Sequence, residues 1–211
     1  AIKDFKLDIN HKIALDCGAS TGGFTDCLIE HGADFVYAVD VGFGQLAGKL
    51  LLNNKVVNME KTNLSDKCLL NLTPNPDIIT LDLSYLSLKA ALPLCINILK
   101  GEGNVITLIK PIFEVDSKET RRTGKINECD LLKNILIDLC HCFLNYNFNI
   151  LGITNSPIKG NNGTLEYFAY LNFGKNNIDN INCSYNDYID VALEKSFLLK
   201  SFDKNNYTFD E

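Results

Sequence analysis

Short apolar runs alternate along the chain with stretches of helical spacing. Residues 13–16, 35–40, 56–57, 77–82 and 104–109 read as strands, several of them apolar on successive positions as expected of strands buried on both faces. Between them, Phe24, Cys27, Leu28 and His31 recur at i, i+3, i+4, i+7. Further helices are predicted over about 46–53, over 86–100 with Pro93 inside, where a kink or break is expected, and through Leu132, Ile135, Leu136, Leu139, Cys140 and Phe143. A loop is expected over about 113–127. The last two apolar runs, 149–155 and 165–172, are joined by a segment too short for a crossover helix, so they pair antiparallel. The pattern predicts an α/β fold: a mostly parallel, doubly wound sheet with helices on both faces and a C-terminal antiparallel hairpin. Residues 1–173 are expected to form one domain, followed by a tail, 174–211, with a helix over about 185–200 packed on it.

Composition narrows the function classes. A chain of 211 residues with 46% hydrophobic content supports one core, and no apolar run approaches the length of a bilayer span. Its first residues, Ala1-Ile2-Lys3-Asp4-Phe5-Lys6, lack the features of a secretory signal and read as the end of an amphipathic helix, as if cut from a longer chain. The eight cysteines are scattered among apolar neighbours, which suits reduced thiols in a cytoplasmic protein. Cys140-His141-Cys142 has no partner pair at zinc spacing, so no metal is expected. The net charge of −6 argues against extended, non-specific nucleic-acid binding. Local basic groups remain at Lys118, Arg121, Arg122, Lys125 and Lys159, read equally as a solvated loop or as a substrate contact.

The chemistry concentrates where the first strand ends, in Asp16-Cys17-Gly18-Ala19-Ser20-Thr21-Gly22-Gly23-Phe24. A turn this poor in side chains lets backbone N–H groups approach a ligand at the start of a helix. The dinucleotide fingerprint Gly-x-Gly-x-x-Gly is not met, because Ala19-Ser20 follows Gly18. Gly18-Ala19-Ser20-Thr21-Gly22 matches the Gly-x-Ser-x-Gly nucleophile elbow, but no strand long enough to supply an oxyanion loop precedes it, and only His31 and His141 lie downstream as bases. An S-adenosyl-L-methionine pocket needs an acid on the strand, a Gly-rich turn and a second acid after the next strand for the ribose hydroxyls; Asp16 and Asp40 stand at that spacing. Asp82 and Lys110 also close strands, so four polar strand ends are expected on one rim around the turn.

Those segments carry a resemblance. Leu15 through Leu28, Ala38-Val39-Asp40-Val41-Gly42-Phe43-Gly44-Gln45-Leu46, Leu81-Asp82-Leu83-Ser84-Tyr85-Leu86, Leu108-Ile109-Lys110-Pro111 with Phe113-Glu114, and Ser156-Pro157-Ile158-Lys159-Gly160 leading to Glu166 resemble the hemolysin A (TlyA) family of FtsJ-like RNA methyltransferases. The resemblance spans about residues 13–173. It implies a seven-stranded, Rossmann-like fold and S-adenosyl-L-methionine-dependent methylation of a ribose 2′-hydroxyl in ribosomal RNA. It also implies a methionine and ribose cradle at Gly18, Ala19, Ser20, Gly22, Gly23 and Phe24, with Asp16 among the cofactor-binding residues. Asp40 and Val41 would take the ribose side, and Thr62 and Asn63 the adenine side, with Asn63 where the family usually carries an acid. Asp82, Lys110 and Glu166 match three members of a Lys-Asp-Lys-Glu tetrad, Asp82 also bordering the cofactor. The segment bearing the first Lys is absent here, with Lys3 and Lys6 poor substitutes. So is the family's N-terminal S4-type RNA-binding domain, through which ribosomal RNA or ribosomal subunits would be engaged. A 2′-hydroxyl is a weak nucleophile, and Lys110, oriented by Asp82 and Glu166, suits the removal of its proton or the stabilisation of the oxyanion. The rival expectations are a membrane-active cytolysin, as the hemolysin name suggests, and a module that binds S-adenosyl-L-methionine without catalysis. No membrane partner is expected, and the oligomeric state is not specified.

Overall fold

The computed structural model describes residues 1–115, 126, 128–160, 163–174 and 184–199. A short helix α1 (Ile2–Phe5) precedes β1 (Ile13–Cys17), α2 (Gly23–Glu30), β2 (Phe35–Val39), α3 (Gly48–Leu51), β3 (Val56–Met59), a 3-10 turn (Lys67–Asn71), β4 (Ile78–Leu81), α4 (Leu88–Leu99), β5 (Gly103–Ile109), α5 (Pro111–Glu114), α6 (Cys129–Asn145), β6 (Phe148–Asn155), β7 (Tyr167–Phe173) and α7 (Tyr185–Phe197). The seven strands form one sheet in the order β3-β2-β1-β4-β5-β7-β6. Strands β1 to β5 run parallel, and β7 is antiparallel to both β5 and β6. The doubly wound sheet with a terminal hairpin is therefore present, as the alternation predicts.

Alternation along β1 sets the two faces. Leu15 and Cys17 join Tyr37, Val39, Ile79, Leu81 and Ile109 in the larger core, which α4, α6 and α7 cover. The α4 stripe Leu88, Ala91, Leu92, Cys95, Ile98, Leu99 and the α6 stripe Leu132, Ile135, Leu136, Leu139, Cys140, Phe143 are buried at 3,4 spacing, and α7 adds Ile189, Ala192 and Leu193. Ala14 and Val36 face the other way, packing with Leu28 of α2, Ile9, Ile78 and Ile106.

Local expectations shift in several places, and helix α5 takes Phe113 and Glu114 from the start of the loop expected over 113–127. Helix α4 runs from Leu88 to Leu99 through Pro93 without a break; its continuous buried stripe offsets the one backbone hydrogen bond that proline cannot make. The helix expected over 46–53 shortens to Gly48–Leu51. The third strand extends to Met59, past the apolar pair at 56–57. The basic residues Lys118, Arg121, Arg122 and Lys125 lie outside the described residues. Among the described residues no helix is long and apolar enough to cross a membrane.

Candidate active site

Parallel strands deliver their carboxyl ends to one rim, so Asp82 and Lys110 follow the neighbouring strands β4 and β5, and Asp40 follows β2, with β1 between. Glu166 arrives there for the opposite reason. It precedes β7, and the antiparallel register pairs Tyr167 with Ile109 at the end of β5, so the start of β7 lies on the same rim.

The first region of the rim is the turn after β1. Gly18 has φ +84°, and a Cβ there would overlap the carbonyl of Asp82, so only glycine lets the turn close on the end of β4. The N–H groups of Gly18 and Ala19 donate to Val39 O at 2.9 and 3.1 Å, and Gly22 N–H donates to Ala19 O at 2.7 Å. Ser20, at φ +49°, donates its N–H to Asp40 Oδ2 at 2.8 Å, and Gly42 N–H donates to Asp40 Oδ1 at 2.6 Å. The expectation that the turn's N–H groups point at a ligand is corrected: those of Gly18, Ala19, Ser20 and Gly22 are satisfied within the protein. The turn offers a shaped wall and a fixed carboxylate instead. A narrow crevice, too tight in this conformation to hold even a water molecule, lies there, lined by Ala19, Ser20, Ala38, Asp40, Gly42, Gln45, Leu46, Asn58 and Glu60.

Other expected ligand residues have different places. Asp16 is 0% exposed, and its two oxygens accept hydrogen bonds from Thr25 Oγ1 at 2.6 Å and Thr80 Oγ1 at 2.8 Å. It pairs in register with Thr80, so it points with Ala14 toward α2 and supports the turn from below. Burial raises its carboxyl to about 6, against the pull of the two threonine hydroxyls. Gly22, at φ +98°, leaves room for Leu46 and Leu50. A side chain at Gly23 would meet only open space, while Val41 projects into solvent. Thr62 N–H donates to Asp40 O, and Asn63 Oδ1 accepts from Ser65 N–H and Oγ at 3.0 Å, closing its own turn. Neither Thr62 nor Asn63 lines the pocket. Gln45, Asn58 and Glu60, which the sequence reading missed, do; their one retrospective signal is position, after β2 and along the end of β3.

The second region holds the titratable groups. Lys110 forms an ion pair with Asp82 Oδ1 and lies 3.4 Å from Ser84 Oγ, with only 17% of its side chain exposed. Burial raises the Glu166 carboxyl above the ordinary Glu range; Lys110 pulls it down and Asp82 pushes it up, which marks the three as one electrostatic group. Glu114 fastens the loop between Asp82 and α4, accepting from Ser87 Oγ at 2.6 Å and Leu88 N–H at 2.8 Å. That loop presents Tyr85, 91% exposed at φ +70°, against Phe113 with ring centroids 5.3 Å apart. Across the rim Phe43 is 70% exposed under Lys61 Nζ at 4.4 Å. Beside Asp82 and Glu166 a cleft of about 870 Å³ runs down the α2 face of the sheet, lined by Phe24, Leu28, Ile106, Leu108 and Phe168 among others.

The hydrolase alternative lacks its base. His31 Nδ1 lies 2.8 Å from Cys27 O, His141 Nε2 lies 3.1 Å from Tyr185 Oη, and His11 Nδ1 lies 3.1 Å from Asp34 Oδ2. None stands beside Ser20.

The FtsJ-like methyltransferase family matches residues 1–173. The chain belongs to that family. Hemolysin A of Brachyspira hyodysenteriae is 40% identical to this FtsJ-like chain over 172 residues, covering 81% of the chain and 71% of the relative. The Mycobacterium tuberculosis protein named 16S/23S rRNA (cytidine-2′-O)-methyltransferase TlyA is 33% identical over 176 residues, covering 81% of the chain and 64% of the relative. A solved structure described as a hemolysin of Lactococcus lactis superposes with a TM-score of 0.80 at 36% identity, covering 92% of this FtsJ-like chain and 91% of that one.

Proposed function

We propose that this FtsJ-like chain binds S-adenosyl-L-methionine at the Asp40 pocket and directs its methyl group to a ribose 2′-hydroxyl of ribosomal RNA. The observation that carries the reading is the meeting of Asp82, Lys110 and Glu166 on the rim that also holds the Asp40 pocket. The chemistry of the lining residues suits an adenosyl group, which would enter as the crevice widens. Each Asp40 oxygen takes one backbone N–H and keeps a lone pair for a ribose hydroxyl, while Gln45, Asn58 and Glu60 offer further polar contacts. When bound, the cofactor supplies an electrophilic methyl on its sulfonium.

The remaining work belongs to the chain. Lys110, held by Asp82, receives the 2′-oxygen and stabilises its negative charge as the proton leaves. Glu166, whose burial makes it the stronger base and which shares the field of Lys110, is the proton acceptor. Exposed Phe43 and Tyr85 give nucleobases flat surfaces at the rim. The TlyA name supports ribosomal RNA as the substrate class. With the Lys-bearing segment and an S4-type domain joined to the chain, tritium from labelled S-adenosyl-L-methionine is expected in the RNA of ribosomal subunits, in nucleotides whose 3′-phosphodiester resists alkali because the 2′-oxygen is blocked. Label on a base, or none, would overturn the reading.

A further inference from the structure

Between β6 and β7 the chain folds back on itself. Ser156 N–H donates to Glu166 O at 2.8 Å, and Gly160 N–H donates to Thr164 O at 2.8 Å. Gly163 N–H closes on Gly160 O at 3.1 Å. Glu166 lies under this loop. A methyl group on Gly160 would overlap the Glu166 carboxyl group and come within 2.7 Å of Thr164 Oγ1. Gly160 does not occupy the left-handed backbone region, so glycine is not required there for its conformation. What it provides is space, and the atoms filling that space are Oε1 and Cδ of Glu166.

We infer that Gly160 is a positioning residue for Glu166: the missing side chain makes the notch in which the Glu166 carboxylate is held on the rim that carries Lys110 and Asp82. An added methyl meets the far end of a flexible side chain rather than backbone, so the loop survives while the carboxylate is turned away. The inference rests on the reading of Glu166 as part of the site. It adds a residue outside the titratable group and assigns a purpose to the Ser-Pro-Ile-Lys-Gly segment.

Two readouts test it. In protein labelled with carbon-13 at glutamate side-chain carboxyls, with Glu166 assigned by its loss in Glu166→Gln, the Glu166 signal is expected to titrate above the ordinary Glu range and to fall toward that range in Gly160→Ala, as the group moves into water. In single-turnover transfer to ribosomal subunits, Gly160→Ala is expected to slow the rate by about tenfold or more. It should have little further effect in a Glu166→Asp background, where the shorter side chain leaves room for the methyl. An unchanged Glu166 titration in Gly160→Ala overturns the inference, as does equal slowing in both backgrounds. If the unmodified protein transfers no methyl at all, the proposed function falls, and the carbon-13 titration still decides where Gly160 places Glu166.

Discussion

Around Asp40 the rim is made by backbone, and around Lys110 it is made by side chains. In the first region N–H groups of Ser20 and Gly42 fix one carboxylate, and Gly18, Ser20 and Gly22 hold left-handed conformations that close the turn. In the second, an ion pair and a half-buried glutamate meet across three strands, held by the loops around Glu114 and Gly160. Backbone geometry suits binding, because it is preorganised and changes little with protonation. Coupled titratable side chains suit proton movement. The difference implies that affinity and turnover can be lost separately.

The largest expected effect breaks the second region alone. Lys110→Ala removes the cation beside Asp82 and Glu166, and the transfer rate in single-turnover assays is expected to fall by about a hundredfold or more. A rate within a few-fold of the unmodified protein would remove Lys110 from the chemistry. Next comes the point where the regions touch. Gly18→Ala puts a methyl into the carbonyl of Asp82 at φ +84°, and a loss of about 2 kcal/mol or more in urea unfolding is expected, with both binding and transfer impaired. Unchanged stability would show that the turn relaxes freely.

The smallest effect concerns the support beneath the turn. The Asp16 carboxyl is raised to about 6 in the folded protein from an ordinary value of 3.8, so the folded state holds a proton that the unfolded state releases in this window. Stability from this group is greatest below about 3.8 and is lost as pH rises through 6, at roughly 1 kcal/mol per pH unit between the two. Asp16→Asn is expected to flatten that slope in thermal unfolding measured from pH 4 to 7. An identical slope in the variant would assign the pH dependence to other groups.

The same contrast explains what the sequence reveals. Asp82 and Lys110 are legible because an abrupt polar residue after an apolar run marks a strand end, and parallel strands bring such ends together. Glu166 is placed by its resemblance to a family motif, while the antiparallel register of β7 supplies the physical reason. Asp16 looks identical to Asp40 in sequence, an acid closing a short apolar run. Asp16 lies inside β1, buried beneath α2 between two threonines, whereas Asp40 stands one residue past the end of β2 where the pocket begins, a difference of depth along the strand that an apolar run does not show. Gln45, Asn58 and Glu60 are invisible for a related cause: the edge strand β3 alternates weakly, and what its end faces depends on the loop after β2. Gly160 lies in a segment that carries the resemblance, but its purpose, a void next to a residue six positions away, is not legible there.

The separation of binding from chemistry is tested most directly by calorimetric titration of S-adenosylhomocysteine into the unmodified chain, Asp40→Ala and Lys110→Ala side by side. Asp40→Ala is expected to weaken binding by about 2 kcal/mol, roughly thirtyfold, through loss of a carboxylate that is fixed by two N–H groups and faces the pocket. Lys110→Ala is expected to bind within about twofold of the unmodified chain, since its ammonium pairs with Asp82 rather than lining the Asp40 pocket. Unchanged affinity in Asp40→Ala, or a loss in Lys110→Ala as large as that in Asp40→Ala, would contradict the assignment of the two regions.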